Sequence, residues 1–125
     1  MVRLTDVFPD GQSIRLVDGL VKARFRNGLE KEVLITPGKI LKYHIPMTWI
    51  SHKFLKGHQL RVSIASSCAG LFVVNTNTGN PIATDTEFEI AHQTIYHNKE
   101  HPSYIVLPVL KEDNKKRMPT LKMSI

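Results

Sequence analysis

The side chains of this 125-residue chain that could do chemistry are six histidines, one cysteine and a scatter of acids. Nucleophilic hydrolysis needs a nucleophile on a sharp turn, commonly G-x-S-x-G between a strand and a helix. The chain has no such motif. Ser66-Ser67-Cys68 closes a strand-like run with no glycine pair around it. Cys68 with a histidine would make a dyad, but a free cysteine at an apolar strand end is expected as a small packing residue. His97 and His101 are four apart, the spacing that puts two zinc ligands on one helical face in H-E-x-x-H. Here Asn98 follows the first and Pro102 the second, between two strand-like runs, so a surface turn is expected. His44, His52, His58 and His92 stand singly beside strand ends or on polar faces and are given no catalytic role. Asp85, Glu87 and Glu89 would share one face of an extended segment, as oxygen ligands for calcium could, yet a solvated acidic edge accounts for them. Trp49, the sole tryptophan, suits either a sugar- or peptide-binding groove or a core or interface anchor, and the anchor is preferred. No catalytic residue, cofactor or metal site is assigned.

The elements that would have to position such groups are strands. In 20–26, Val21, Ala23 and Phe25 alternate with Lys22, Arg24 and Arg26. Leu41, Tyr43 and Ile45 alternate with Lys42 and His44, and Leu60, Val62 and Ile64 with Arg61 and Ser63. Side chains two apart share a sheet face, so each run offers one face to a core and one to water. Turn signals separate the runs: Pro9-Asp10-Gly11, Asp18-Gly19, Asn27-Gly28, Pro37-Gly38, Lys56-Gly57 and Thr78-Gly79-Asn80-Pro81. The spacing predicts about eight antiparallel strands from runs near 2–7, 13–16, 20–26, 32–35, 40–46, 59–66, 71–74, 90–96 and 104–109, with some merging. No helical periodicity persists. The expected class is therefore all-β, a jelly-roll or galactose-binding-like β-sandwich over residues 1–110. Residues 75–89 read as a long polar loop and 111–125 as a basic, mobile tail.

Composition narrows what such a domain does. One domain fits this length, and a chain of this size can bury roughly two-thirds of its unfolded surface. A single cysteine excludes an internal disulfide and points to a reducing, cytoplasmic compartment. No run approaches the ~18 apolar residues of a membrane span, and the first residues lack the apolar core of a signal peptide. The net charge of +6 invites a nucleic-acid reading. Half of it lies in the last fifteen residues and the rest is interleaved with acids, so neither nucleic acid nor membrane is expected as a partner.

Several segments in order carry a resemblance. Leu4-Thr5-Asp6-Val7-Phe8-Pro9-Asp10-Gly11 leads to Leu16-Val17-Asp18-Gly19-Leu20-Val21-Lys22-Ala23-Arg24-Phe25-Arg26. Thr36-Pro37-Gly38 follows, then Thr48-Trp49-Ile50-Ser51-His52-Lys53-Phe54-Leu55-Lys56-Gly57-His58-Gln59-Leu60-Arg61-Val62 and Asn75-Thr76-Asn77-Thr78-Gly79. Gln93-Thr94-Ile95-Tyr96-His97 and His101-Pro102-Ser103-Tyr104-Ile105-Val106-Leu107-Pro108-Val109 complete the series. Over residues 2 to 110 this resembles the C-terminal domain of the cocaine esterase/NonD hydrolases, shared with X-Pro dipeptidyl-peptidases. The resemblance implies a jelly-roll module that follows an α/β-hydrolase domain and contains none of that domain's Ser-His-Asp triad. It implies packing on the catalytic domain, shaping of the active-site mouth and oligomer contacts. Two departures stand out. The family domain begins with strands upstream of the segment matching Val2, and Cys68-Ala69-Gly70-Leu71-Phe72 replaces an Asn-Phe-Pro-Arg-type stretch.

The expectation is thus a non-catalytic module of a serine hydrolase, whose partner is an α/β-hydrolase catalytic domain in the same or a separate chain. Trp49, Phe54, Phe72 and Tyr96 are the candidate interface or packing anchors. A sheet lacking its leading strands would present a bare edge, so self-association is expected too. The alternative is a stand-alone carbohydrate- or ligand-binding β-sandwich using Trp49. A small enzyme in its own right is disfavoured, because no nucleophile, base and oxyanion set can be assembled.

Overall fold

In a computed structural model, which describes residues 1–110 and the strand residues 122–124, the strands are β1 (Val2–Val7), β2 (Ser13–Gly19), β3 (His44–Pro46), β4 (Gln59–Ile64), β5 (Tyr104–Val106) and β6 (Lys122–Ser124). One 3-10 turn, Ala23–Phe25, is the helical element among the described residues. The chain is therefore all-β, with no helix long and apolar enough to cross a membrane among those residues.

The alternation in residues 2–7 becomes β1, and Pro9-Asp10-Gly11 turns it into β2. The Phe8 N–H donates to the Gln12 carbonyl at 2.8 Å and the Gln12 N–H to the Asp10 carboxylate at 3.0 Å. Gly11 sits at φ +90°, in the left-handed region that glycine enters without steric cost. β1 lies between β2 and β4, antiparallel to both. Its register with β2 slips after Leu4, which faces Val17, so that Thr5 faces Arg15 and Leu16 is the extra residue of a bulge. The second sheet has the order β3-β6-β5. Gly19 bridges to Met47, joining the end of β2 to the chain just past β3. The core occupies that junction: Val2, Leu4, Val17, Ile45 and Met47 are buried together, with Tyr43, Val62, Ile64, Ile105 and Leu107 against them.

Fewer strands are present among the described residues than the eight or so expected. Residues 20–26, 32–35, 71–74 and 90–96 are not strands. Alternation specifies which side chains share a face, but a strand also needs a hydrogen-bonding neighbour. In 20–26 the backbone closes on itself instead, with the Phe25 N–H on the Lys22 carbonyl and the Arg26 N–H on that of Ala23. The expected facing is overturned as well, because Arg24 is buried. Its guanidinium donates to Glu32 at 3.2 Å and to the Asn80 carbonyl at 3.1 Å, and those partners offset its loss of water. The 13–16 strand extends to Gly19, so the turn expected at Asp18-Gly19 is strand. Part of the expected tail forms β6, paired with β3 and β5; residues 111–121 and 125 lie outside the described residues.

Candidate functional site

β1 also places a charge where its apolar face continues. Val2, Leu4 and Asp6 share one face by alternation, and all three are buried, Asp6 to 2% exposure. A buried carboxylate needs donors, and the strap from Met47 to His58 supplies them. His52 Nε2 lies 2.8 Å from one Asp6 oxygen, and His58 Nδ1 lies 3.0 Å from each of the two. Aromatic contacts fix both rings: Phe8 lies 4.4 Å from His58 and Phe54 meets His52 edge-on at 4.9 Å. Burial pushes the Asp6 carboxyl up, but the hydrogen bonds from His52 and His58 outweigh it and leave the pKa below the usual 3.8. Both histidines were expected to act singly. The signal available in the sequence was an acid at the third inward position of an apolar strand, which demands a partner; its identity lies 46 and 52 residues away.

The strap holds two of the four expected anchors. Trp49 is 60% exposed and Phe54 is exposed beside His52, so neither fills the core. Phe72 and Tyr96 are exposed in other segments. Tyr96 meets His101 edge-on at 5.5 Å, and its carbonyl accepts from Ser103 at 2.6 Å. The structure therefore does not bring the four together as one packed cluster; only Trp49 and Phe54 share an element.

The other candidates are absorbed locally. Cys68, half-buried, has Arg3 Nη2 at 3.7 Å as its side-chain partner among the described residues, not a histidine. Arg3 grips Asp18 with two hydrogen bonds of 2.9 Å and holds that carboxyl low. The His101 N–H donates to Asn98 Oδ1 at 2.7 Å, closing a turn rather than a helix. Asp85 accepts from Thr76, Thr78, the Asn80 amide and the Glu87 N–H, which bring its pKa down to about 2 and pin the 75–89 loop. Among the described residues no group of three or more His, Cys, Asp or Glu could hold a metal ion.

These carboxylates set an expected acid limit. Asp6, Asp18 and Asp85 all have folded pKa values below their unfolded ones, so the stability they confer is complete above the unfolded value, about 3.9. It is lost as pH falls through the folded values, down to about 2 for Asp85. Far-UV circular dichroism should therefore hold level from pH 7 to about 5 and fall between about 4 and 2.

The fold and its side chains define a strand-rich module in which Cys68 has Arg3, and not a histidine, as its side-chain partner among the described residues. Residues 1–106 match the X-Pro dipeptidyl-peptidase C-terminal non-catalytic domain, and the chain belongs to that family. It is similar to the cocaine esterase of Rhodococcus sp. (strain MB1 Bresler), 42% identical over 111 residues, which are 87% of this chain and 19% of the relative. The chain thus spans less than a fifth of the length of the curated relative it matches. No solved structure matches it.

Proposed function

We propose that this chain is the jelly-roll companion module of an α/β-hydrolase catalytic domain, in the same or a separate chain, with ester or X-Pro dipeptide hydrolysis belonging to that domain. The module packs on the catalytic domain, shapes the mouth of its active site and supports oligomer contacts. One observation carries this reading. In a family whose domain is non-catalytic, large apolar side chains stand exposed along the strap (Trp49, Phe54, Leu55) and at Leu71, Val73, Phe88 and Ile90. Three of these side chains fall within seven residues of the strap, and apolar side chains exposed together are available to a contact with another polypeptide. The outer strands of the first sheet, β2 and β4, offer a second contact, with another copy of the chain.

The test is co-expression of this chain with the part of the Rhodococcus esterase outside the matched segment. Co-purification of the two, with ester hydrolysis above that of the esterase part alone, is the expected result. No association and no gain in activity would overturn the reading. A second reading, a carbohydrate-binding module, draws on the exposure of Trp49. It requires affinity for a glycan that Trp49→Ala abolishes, and a silent glycan array would remove it.

A further inference from the structure

We propose that Asp6 is the positioning residue of the docking surface, and that through His52 and His58 it holds the strap carrying Trp49 and Phe54 in the one arrangement the catalytic domain receives. The proposal rests on the companion-module reading and adds which segment docks and what sets it.

The exposed apolar segments are not equivalent. The stretch around Leu71 and Phe72 is held by a short-range turn, in which both N–H groups donate to the Cys68 carbonyl. The strap is fastened to the central strand of a sheet, through a carboxylate buried to 2% exposure and two donors six residues apart. Trp49 precedes the first fastening by three residues, and Phe54 lies between the two with its ring against His52. Association loses less free energy to ordering when the contact side chains are already held, and tryptophan in a pre-set position is a frequent centre of binding energy. Occupancy by a catalytic domain follows from the family's own character as a non-catalytic domain. It also follows from the relative, where the matched segment accompanies a chain more than four times as long.

The geometry assigns each histidine a replaceable role. His52 donates from Nε2, a position that the amide nitrogen of glutamine can occupy, and His58 from Nδ1, where that of asparagine can stand. Leucine at position 52 keeps bulk but removes the donor. His52 is partly exposed, so His52→Leu removes one donor of Asp6 without emptying a core site, and His58 still donates to the carboxylate; it is a milder change than Asp6→Ala.

The experiment measures two quantities on wild type, His52→Leu and His52→Gln, each with an unchanged far-UV spectrum. One is the fluorescence anisotropy of Trp49, the sole tryptophan. The other is affinity for the co-expressed esterase part. His52→Leu should lower the anisotropy and weaken binding at least tenfold, while His52→Gln stays within twofold of wild type. If wild type binds and His52→Leu binds equally well, the positioning role is wrong and the companion reading stands. If wild type does not bind, both fall.

Discussion

Leu4→Ala lowers the unfolding free energy of this chain by about 2–5 kcal/mol, the range for emptying a buried leucine site. Leu4 is 1% exposed on the strand that both β2 and β4 flank, facing Val17 in one register and Val62 in the other. Removing its side chain leaves a void among Val2, Val17, Ile45 and Met47, which surrounding side chains fill only in part. That core is small for 125 residues, so one position carries a large share of a stability that for ordinary domains totals about 5–15 kcal/mol. Ile14→Ala on β2 is the control: Ile14 is half exposed, and its loss should cost about 0.5 kcal/mol or less. Urea unfolding followed at Trp49 separates the two, with a lower midpoint and an unchanged slope expected for Leu4→Ala.

The elements closed by local chemistry were legible before the structure. β1 and β4 stand where alternation puts them, and the hairpin forms at Pro9-Asp10-Gly11, because a turn and a two-residue period are written in adjacent residues. Family membership was legible for a related reason, since ordered motifs survive where no single one is distinctive. Long-range satisfaction of polar groups was not legible. Arg24 reads as an outward residue of a strand, and only Glu32 and Asn80, 8 and 56 residues on, make its burial possible. Asp6 is buried only because His52 and His58, 46 and 52 residues on, donate to its carboxylate.

Trp49 marks another boundary of sequence reasoning. Its type calls for burial of a large apolar area, and the fold leaves most of that area in water. The companion-module proposal supplies a surface to cover it, and the glycan reading would supply a sugar face instead. The expected strands at 71–74 and 90–96 fail for a related reason, because a strand-like run without a neighbouring strand has nowhere to place its backbone hydrogen bonds.

Gly19→Ala should destabilise the chain by about 1–3 kcal/mol, the usual cost of overfilling a packed site. The cause is space, not backbone conformation. A Cβ at Gly19 would stand 2.8 Å from the Pro46 carbonyl oxygen, 2.9 Å from Ile45 Cγ2 and 3.1 Å from Met47 Cγ. The first of these is main chain and cannot swing aside, so either β3 or the end of β2 must retreat. That retreat separates the two sheets at the bridge between Gly19 and Met47 and loosens Ile45 and Met47, two of the buried core residues. Gly11→Ala provides the contrast, because a Cβ there meets nothing within 4 Å and the φ of +90° is the only obstacle. Its cost should be about 1 kcal/mol, from left-handed strain alone. Hydrogen exchange distinguishes the two mechanisms. Gly19→Ala should expose amides of both β2 and β3, whereas Gly11→Ala should loosen the β1–β2 hairpin and leave β3 protected.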